Sequence, residues 1–519
     1  NFNLTPSDSR IWRVMNALRK GMGPIDLSTQ TGFDPWFSNS FLKIINMEKE
    51  LSSNVLDSNI LRKVKRMGFA DSDIAEILKI TTEEVRKKRI EFGIIPTYKM
   101  VDTCAAEFEA FTPYFYSTYE TENEALPIQK DKVIVLGSGP IRIGQGIEFD
   151  YCSVHAVWAL DRINKKSIMI NSNPETVSTD FDTSERLYFE PLDEESIRNI
   201  IDNESYGFEK PKSIVQFGGQ TAVNLATSLD NSSNPIMGSS AKTIDNASDR
   251  IPFEKLTESL NIPQPPGGEV FNVTDAINVA NSVGFPVVVR PSYVLGGMSM
   301  EILQSTEELK RYFESHSSLF QDFRGSLLID RYIEGIEVEV DAVCDGENIL
   351  IPGIMEHIER AGVHSGDSIA VYPPINLTKN EIDIIVKHTK DIGIALGIKG
   401  LMNIQFVIKR SETREGKDLK SKVYILELNP RSSRTIPFIS KVTGIPMIDI
   451  AVRIMNGTFL DDLGYGHQLM PNKNFYAVKA PVFSMSKLTG VDTFLGPEMK
   501  STGEVMGIDN NFQSALSKA

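Results

Sequence analysis

The apolar positions near the start of the chain follow the period of an amphipathic helix. Within residues 10–20, apolar side chains recur every three to four positions and so share one helical face. These side chains are Ile11, Val14, Met15 and Leu18. We therefore expect a helix over this stretch, with its apolar face packed against a neighbouring element.

A second helical pattern begins at Asp71, where Ile74, Ile77 and Leu78 fall on one face. Thr81 follows, with a glutamate three residues later, which is the spacing of a capping box at a helix start. Short helices with polar outer faces are typical of packing modules. Residues 1 to about 120 are thus predicted to form a helical assembly module and not a catalytic one.

The pattern changes near residue 125, where short apolar runs rich in β-branched residues replace the helical period. The runs are KVIVL (132–136), SIMIN (167–171) and SIVQF (213–217), with helical stretches between them. Continuous apolar runs of this length are typical of buried parallel strands. The alternation predicts βαβ units and a parallel sheet that extends to about residue 242.

Residues 243–470 read as a second region of mixed helix and strand. A helix is predicted at 381–396, and strands are predicted at 286–291, 400–408 and 423–429. The runs 327–333 and 337–344 look like two strands paired with each other, with alternating faces. The charged stretch KRSETREGKDLKSK (409–422) is predicted to be a solvated hairpin extension and not a binding patch.

Composition narrows the class of protein. The 519 residues are 41% hydrophobic and 24% charged, as in ordinary globular chains, and the length favours several domains. The 54 lysines and arginines against 69 aspartates and glutamates give a net charge of −15. Such an acidic chain is not expected to bind nucleic acid, whose partners usually present a basic face. No apolar run approaches the roughly 18 residues that span a bilayer, so no membrane association is expected.

Cysteine and histidine spacing argues against a thiol or histidine metal site. The cysteines, Cys104, Cys152 and Cys344, form no CxxC pair and no zinc pattern, and the six histidines include no HExxH. Buried thiols in a cytoplasmic protein are the expected arrangement. The first residue is asparagine, and we expect the chain to be a piece of a longer protein.

A glycine-rich turn follows the first predicted parallel strand. It begins with Gly137 and Gly139, but Arg142 occupies the third position of a dinucleotide fingerprint, so NAD binding is not expected. Two interpretations stay open: a tight strand-to-helix turn that needs glycine, or a phosphate or carboxylate held at the helix start. No GxxxxGK[ST] sequence occurs, so a P-loop is excluded.

The strongest chemical signal lies at the end of the strand 423–429. Glu427 and Asn429 are two residues apart and therefore face the same side of a strand, and Gln405 on the preceding strand offers a third oxygen. Hard oxygen ligands of this kind suit Mg²⁺, which completes its shell with phosphates and water. Arg431 and Arg434 follow, and arginine clamps phosphate or carboxylate bidentately. Solvent-facing polar positions are the plainer interpretation, which the run ELNPRSSRT disfavours.

Two further segments point to a phosphate-bearing ligand. Arg290 ends an apolar strand, which places a cation on a buried stem. The segment 355–368 offers polar backbone at 362–365 that is able to meet a nucleotide. A lone histidine such as His364 is more often structural than catalytic, and no acid–base role is assigned to it.

With these residues in place, the chain resembles the ATP-grasp superfamily, and in particular carbamoyl-phosphate synthetase large subunits. The resemblance covers nearly the whole chain and is carried by long runs: GSGPIRIGQGIEFDY (137–151), NSNPETVSTDFDTSERLYFEPL (171–192), QFGGQTAVNLA (216–226), RPSYVLGG (290–297), EHIERAGVHSGDS (356–368) and ELNPRSSRT (427–435). Each occurs once, whereas the family's large subunit is an internally duplicated chain with two ATP-grasp halves.

The resemblance implies an α/β architecture in four parts. A helical oligomerisation domain is expected at 1–125, a pre-ATP-grasp parallel α/β domain at 126–242 and an α+β ATP-grasp domain at 243–470. A segment at 471–519 would lead to a regulatory domain that this chain lacks. The order fits the second, carbamoyl-phosphate-forming half, which phosphorylates carbamate in arginine and pyrimidine biosynthesis.

The family's site, carried over position by position, implies an ATP site with Mg²⁺ or Mn²⁺, two ions per site. Metal ligation is implied at Gln405, Glu427 and Asn429, and contact with the transferred phosphate or with carbamate at Arg431 and Arg434. The loop 137–149 is implied to line the carbamate side. The implied nucleotide contacts are Arg290, Arg331, Ile333, Glu337, Gly362, Val363, His364, Ser365, Gln405 and Glu427.

The implied partners are the first synthetase half, a glutaminase small subunit and further copies of the chain, all in the cytoplasm. Two other functions stay open. One is a different ATP-grasp ligase that joins a carboxylate to an amine, which the length of the 137–192 match disfavours. The other is a non-catalytic assembly or regulatory half, against which the set Gln405, Glu427, Asn429 and Arg431 argues.

Overall fold

A computed structural model describes residues 2–53, 55–102, 107, 114–205, 207, 209–291, 297, 299–316, 326–412, 419–465, 468–485 and 492–519. The chain divides into two compact units, each considered by itself. The first consists of Asn1–Asp102 and Phe115–Leu126, and the second of Thr103–Tyr114 and Pro127–Ala519. The described helices include none that is long and apolar enough to cross a membrane.

The first unit is mainly helical, as predicted. Its helices are α1 (Arg10–Arg19), α2 (Pro24–Thr31), α3 (Pro35–Ser53), α4 (Ser58–Arg66), α5 (Asp71–Leu78) and α6 (Thr82–Glu91). Strands β1 (Thr97–Met100) and β2 (Tyr114–Thr118) pair in antiparallel fashion after these helices. The expectation of helix up to residue 120 is therefore wrong beyond α6, where aromatic and β-branched residues favour strands.

Local sequence explains how these helices begin and pack. The capping box predicted at Thr81 is confirmed: the Glu84 amide donates to Thr81 Oγ1 at 3.2 Å, and the Thr81 amide donates to Glu84 Oε2 at 2.7 Å. In α1, Val14 and Leu18 are buried as expected, but Ile11 is 40% exposed. The apolar face of α1 is thus narrower than its sequence pattern suggested.

The second unit begins with the predicted parallel sheet. Its strands are β3 (Lys132–Leu136), β4 (Lys166–Asn171), β5 (Arg186–Phe189) and β6 (Lys212–Ile214), paired in the order β5–β4–β3–β6. The accompanying helices are α7 (Glu148–Arg162), α8 (Glu194–Ser205), α9 (Gly219–Val223), α10 (Ala226–Asn231) and α11 (Ala241–Ser248). The predicted domain boundary at 242 falls inside α11.

A small antiparallel sheet comes next. Its strands are β7 (Gly267–Val270), β8 (Val287–Pro291), β9 (Glu301–Leu303) and β10 (Leu327–Arg331), in the order β7–β10–β8–β9. Helices α12 (Arg250–Ser259), α13 (Val273–Val283) and α14 (Thr306–Ser315) belong to the same stretch of chain. Apolar side chains of α13, α14 and the four strands share one buried cluster.

The remaining strands form one large sheet. They are β11 (Ile336–Asp345), β12 (Ile349–Ile351), β13 (Ile354–Arg360), β14 (Ala370–Tyr372), β15 (Lys399–Glu412), β16 (Leu419–Asn429), β17 (Gln468–Leu469), β18 (Tyr476–Phe483) and β19 (Ser501–Asp509). The main path is β16–β15–β11–β13–β14–β18–β19. Helices α15 (Lys379–Leu396), α16 (Ile436–Thr443), α17 (Met447–Met455) and α18 (Phe512–Lys518) complete the described elements of this unit.

One predicted strand pairing is wrong. The runs 327–333 and 337–344 do form strands, β10 and β11, but these lie in different sheets. Both edges of β10 are taken by β7 and β8, and β11 is flanked by β13 and β15. Closeness in sequence favoured a hairpin, whereas the chain changes sheets between the two strands.

The charged connector is a hairpin as far as the structure describes it. Strand β15 pairs with β16 out to Glu412 opposite Leu419, and 413–418 lie outside the described residues. Cys152 and Cys344 are free and buried, which confirms the expectation for these two thiols. Cys104, His467 and 292–296 of the run RPSYVLGG also lie outside the described residues.

Candidate active site

Two rows of polar side chains cross three neighbouring strands of the large sheet. In the pairing register, β11 faces β15, and β15 faces β16. One row is Glu339, Gln405 and Glu427, and the next is Asp341, Asn403 and Asn429. Residues opposite each other on paired strands, and residues two apart on one strand, share a face. The predicted ligands Gln405, Glu427 and Asn429 are therefore neighbours on one surface.

The opposite face of the same strands is apolar. Val338, Val340, Ile404 and Phe406 alternate with the polar residues and are fully buried. They pack in one cluster with Ile385 and Ile392 of α15. Because successive strand residues point to opposite faces, this buried layer fixes the register and holds the polar rows on the other side.

Gln405, Glu427 and Asn429, which together form the polar edge of the large sheet, offer oxygen ligands that suit a hard cation. Gln405 Nε2 donates to Ser365 Oγ at 2.8 Å, which leaves its amide oxygen as an acceptor. Asn429 Nδ2 donates to Glu427 Oε1 at 3.1 Å, and the Glu427 side chain is 41% exposed. One accessible carboxylate and two amides match Mg²⁺, which keeps waters and phosphates in its shell. The described residues contain no group of three or more His, Cys, Asp and Glu that suits a metal.

Arg290 lies beside this edge, at the end of β8. Its Nη1 is 3.9 Å from Glu427 Oε2, and its Nε is 3.7 Å from Asp330 Oδ2 on β10. The side chain is 28% exposed. The guanidinium therefore lies near two carboxylates, one of which belongs to the metal-ligand candidate Glu427.

Three further residues predicted to contact the nucleotide lie close together in the chain: Arg331 on β10, Glu337 on β11 and Ile333 between the two strands. Arg331 donates to the carbonyl of Phe285, so its guanidinium is engaged by backbone. Ile333 is buried. Glu337 is also buried, and burial raises the pKa of its carboxyl to about 7. Its Oε1 lies 3.7 Å from His357 Nδ1, a ring nitrogen without a hydrogen bond among the described residues.

The loop 362–365 is shaped by close packing. Gly362 has a φ of +102°, and a Cβ there would lie 2.7 Å from Ile302 Cδ1, so only glycine fits without displacement. Val363 follows it and is half-buried. His364 Nδ1 accepts from the Gly366 amide at 3.0 Å, and burial lowers the pKa of the imidazole. This supports the structural role expected for His364, and Ser365 then meets Gln405.

The two predicted phosphate arginines occupy different surroundings. The first, Arg431, bonds around the polar edge: Nη2 donates to Asn429 Oδ1 at 3.1 Å, and Nε donates to Gln220 Oε1 at 3.0 Å. Its guanidinium lies 5.7 Å from the centre of the Phe149 ring. Burial lowers the pKa of Arg431 to about 10, which still leaves it charged at neutral pH.

The second arginine, Arg434, forms a buried ion pair with the start of α7. Its Nη2 and Nε donate to Glu148 Oε1 at 2.8 and 3.2 Å, and its side chain is 9% exposed. Its Nη1 donates to Ser501 Oγ at 3.0 Å. The structure thus commits this guanidinium to a carboxylate and a hydroxyl, whereas Arg431 adjoins the metal-ligand candidates.

The glycine-rich turn is tightly packed where it leaves β3, at Gly137. A Cβ on Gly137 would lie 2.5 Å from Asn171, and a Cβ on Gly218 would lie 2.2 Å from the Gly137 carbonyl oxygen. The first turn of α7 carries Glu148 and Asp150, whose charges already complement the helix dipole. Close packing therefore accounts for Gly137 and Gly218, whereas Gly139 has a φ of +72°, which favours glycine.

Sequence reasoning missed several residues that build this surface. Glu339 and Asp341 are two residues apart in EVEVD (337–341), just as Glu427 and Asn429 are on their strand. This spacing of polar residues along an apolar strand could have identified them. Asp330, which faces Arg290, and Phe149 and Gln220, which contact Arg431, gave none, because their partners lie far away in sequence.

Comparison with known families agrees with this architecture. The carbamoyl-phosphate synthetase large chain oligomerisation domain matches residues 3–93. The carbamoyl phosphate synthase preATP-grasp domain matches 129–246, and the ATP binding domain of the carbamoyl-phosphate synthase L chain matches 249–463. The predicted boundaries at 125, 242 and 470 stay predictions.

Solved structures show the same fold at low sequence identity. A biotin carboxylase from Campylobacter jejuni in complex with β,γ-ATP matches with a TM-score of 0.55 and 15% identity, over 75% of this chain and 89% of that one. An ADP complex of the N5-carboxyaminoimidazole ribonucleotide synthetase PurK matches with a TM-score of 0.53 and 13% identity, over 76% and 97%. These likenesses confirm the ATP-grasp fold.

Full-length relatives give the family. The carbamoyl phosphate synthase large chain of Thermomicrobium roseum is 52% identical over 516 residues, which is 99% of this chain and 47% of the relative. That of Caldanaerobacter subterraneus subsp. tengcongensis is 53% identical over 515 residues, 99% of this chain and 46% of the relative. The chain therefore belongs to the family of carbamoyl phosphate synthase large chains and spans about half the length of the relatives that it matches.

Proposed function

We propose that this chain transfers the γ-phosphoryl group of ATP to carbamate and so forms carbamoyl phosphate and ADP. The observation that carries the proposal is the opposition of Gln405 and Glu427 on paired strands, next to Asn429 and Arg431. This surface combines ligands for a divalent cation with a fixed positive charge, which is what phosphoryl transfer requires. The names of the relatives support the choice of product.

The nucleotide is proposed to bind between the small sheet and the polar edge of the large one. The placement of Arg290 near Glu427, and of Ser365 on Gln405, supports this location. The proposed contacts are Arg290, Arg331, Ile333, Glu337, Gly362, Val363, His364, Ser365, Gln405 and Glu427. Arg331 and Ile333 are included because the family resemblance implies them. Since the Arg331 guanidinium is bonded to the Phe285 carbonyl and the Ile333 side chain is buried, backbone contacts are the expected ones there.

Gln405, Glu427 and Asn429 are proposed to hold Mg²⁺ or Mn²⁺, as two ions per site, which would supply positive charge to the phosphate oxygens. To do so, the Asn429 amide must turn its oxygen from Arg431 toward the cation. The exposed Glu427 carboxylate needs no such rearrangement. We propose that the rotation of Asn429 accompanies nucleotide binding and leaves one Arg431 N–H free for phosphate.

In the transfer step, a carbamate oxygen forms a bond to the γ-phosphorus while the bond to the β–γ bridging oxygen breaks, and ADP leaves. Little covalent help is needed, so orientation and charge carry the step. Arg431 is proposed to donate to the transferred phosphoryl oxygens from a fixed position. Arg434 is proposed to contact phosphate or carbamate only together with a rearrangement of its bond to Glu148.

Carbamate decomposes in water, so the site is proposed to receive it from a closed path and not from bulk solvent. The loop 137–149 is proposed to line the carbamate side. The half of the longer relatives that this chain does not match is proposed to supply carbamate. A glutaminase small subunit is proposed as the source of ammonia. We further propose a homo-oligomer, a cytoplasmic location, and use of the product for arginine and pyrimidine synthesis.

A forward assay tests this function. The purified chain is mixed with MgATP and freshly dissolved ammonium carbamate, and carbamoyl phosphate is followed by phosphorus NMR. ADP and carbamoyl phosphate should both form when carbamate is the substrate. Neither bicarbonate alone nor acetate should replace it. A chain that consumes ATP equally well with bicarbonate alone would instead be a bicarbonate-phosphorylating enzyme, and the proposal would be wrong.

A further inference from the structure

The segment 216–220 lies against the loop that carries Arg431, although 211 residues of sequence separate Gln220 from that arginine. We propose that Gln220 is a positioning residue that aims the Arg431 guanidinium at the transferred phosphate, and that Asn224 sets the orientation of the Gln220 amide. The inference rests on the proposed function and adds to it two residues without an assigned role.

The amide of Gln220 is held at both ends. Its Oε1 accepts from Arg431 Nε at 3.0 Å, and its Nε2 donates to Asn224 Oδ1 at 2.8 Å. Asn224 follows one helical turn later, so both side chains lie on one face of α9 and its cap. A flipped amide would set N–H against N–H at Arg431, and Asn224 would lose its donor. The observed orientation is therefore the one that satisfies all three groups.

The rest of the guanidinium is restrained by its own loop. Nη1 donates to the Ser432 carbonyl at 2.9 Å, and Nη2 donates to Asn429 Oδ1 at 3.1 Å. Among the described residues, these bonds and the one to Gln220 take three of the five N–H donors of an arginine. One N–H remains on each Nη, and the proposed rotation of Asn429 would release a second one on Nη2. Two N–H groups of one guanidinium can bind phosphate oxygens bidentately.

The backbone on either side of Arg431 is anchored to the same segment. Gln216, which is fully buried, donates through Nε2 to the Pro430 carbonyl at 2.8 Å and accepts at its own carbonyl from the Ser432 amide at 2.9 Å. Ser432 Oγ donates to the Phe217 carbonyl at 3.0 Å. The segment 216–220 and the loop 430–432 are therefore tied together by several hydrogen bonds. The hydrogen bond from Arg431 to Gln220 consequently has a fixed direction.

Loss of the Gln220 acceptor leaves Arg431 Nε unpaired and frees the guanidinium to rotate. Hydrogen bonds to charged groups contribute about 1.5–3 kcal/mol, which corresponds to roughly 10- to 100-fold in rate. Gln220→Met keeps the shape of the side chain and removes the acceptor. Asn224→Ala lets the Gln220 amide turn, whereas Asn224→Asp still accepts from Gln220 Nε2.

The test combines binding and turnover on the full chain. The probes are MgADP and the Mg²⁺ complex of adenosine 5′-(β,γ-imido)triphosphate, with dissociation constants from calorimetry. Gln220→Met should reduce the preference for the triphosphate analogue at least about threefold and lower kcat for ATP formation from carbamoyl phosphate about 10- to 100-fold. The affinity for MgADP should stay near that of the wild type, because Arg431 is assigned to the γ-phosphate alone. The thermal midpoint should also stay near that of the wild type.

The two asparagine variants and a control complete the test. Asn224→Ala should lower kcat about three- to tenfold, and Asn224→Asp should restore it. Gln264→Met, which removes an amide oxygen that accepts from Thr257, should leave all values unchanged. An unchanged preference for the triphosphate in Gln220→Met would overturn the inference. So would a variant in which the affinity for MgADP and the thermal midpoint fall along with the affinity for the triphosphate, because that is a general structural defect. A wild-type chain that prefers the triphosphate yet makes no ATP, even with the remaining half of the synthetase added, would instead refute the proposed function, while the preference ratio still tests Gln220.

Discussion

Gln405 and Glu427 lie directly opposite each other on the antiparallel strands β15 and β16. Directly opposed side chains on one face of such a pair have Cβ atoms about 5 Å apart, close enough for both to bind one cation. The next opposed pair, Asn403 and Asn429, lies two residues along and on the same face. The strand register thus brings together the residues on which the proposed chemistry depends.

The charge of Glu427 is the first test of this arrangement. Glu427→Gln keeps the shape of the side chain and removes the negative charge that would offset a divalent cation. We expect turnover to fall at least about 100-fold, the equivalent of losing ~2.7 kcal/mol of transition-state stabilisation. Glu185→Gln, which affects a surface pair with Lys166, is the matched control. Near-normal turnover in a folded Glu427→Gln protein would remove Glu427 from the site.

The buried ion pair between Arg434 and Glu148 predicts an effect on stability. Arg434→Met leaves a buried carboxylate without its partner, a change that typically costs about 3–5 kcal/mol. We expect a lower thermal unfolding midpoint, measured by calorimetry. The double variant with Glu148→Gln should recover part of the loss, since the unpaired charge is then gone. An unchanged midpoint in Arg434→Met would mean that the pair does not form in solution.

Glu504 predicts a specific dependence of stability on pH. Burial raises the pKa of its carboxyl to about 7, above the roughly 4.3 of an exposed glutamate. The folded chain therefore binds more protons than the unfolded chain between these values. Its free energy of unfolding falls as pH rises through this window, by up to about 1.4 kcal/mol per pH unit from this group.

Glu504→Gln mimics the protonated carboxyl and should remove that contribution. The difference in thermal midpoint between the variant and the wild type should grow in favour of the variant from pH 5 to pH 8. Comparison of the two proteins cancels other titrating groups, Glu337 among them. A constant difference across this range would show that Glu504 ionises at its ordinary pKa.

Exposed aromatic residues in the first unit predict self-association. Trp12 and Trp36 are 72% and 67% exposed, and the Trp36 ring meets Phe37 edge-on at 5.0 Å. Large exposed aromatic surface favours an interface. We expect light scattering to show a multimer, and deletion of 1–126 or the double change Trp12→Lys and Trp36→Lys to reduce it to a single chain. A wild-type chain that is monomeric at high micromolar concentration would contradict this.

Much of the fold followed from local pattern. The parallel strands β3 and β4 were predicted because unbroken β-branched runs occur where both faces of a strand are buried. The pairing of β10 with β11 was predicted wrongly because strand partners depend on contacts between distant segments. Local sequence gives no measure of which edge of β10 is already occupied by β7 and β8.

The site was predictable where it follows strand periodicity. Glu427, Asn429 and Gln405 were selected by their phase on neighbouring strands, and the register places them together. The division of labour between Arg431 and Arg434 was not predictable, because it depends on Gln220 in α9 and Glu148 in α7, which are distant in sequence. Pattern identifies which residues share a face, whereas only the assembled fold shows which partner each charge finds.

Synthesis of ATP from ADP and carbamoyl phosphate by the isolated chain tests the central claim most directly. The reaction should require Mg²⁺ but neither glutamine nor bicarbonate, since Arg290, Gln405, Glu427 and Arg431 all belong to this chain. Acetyl phosphate should be a poor substitute, because a methyl group leaves the partners of the carbamoyl NH₂ unpaired. Arg431→Ala should abolish ATP formation and leave ADP binding within a few-fold, whereas Arg19→Ala on the surface should change neither. The predicted result is Mg²⁺-dependent formation of ATP from ADP and carbamoyl phosphate. A folded chain that binds MgADP yet forms no ATP, even with the remaining half of the synthetase added, would contradict the account.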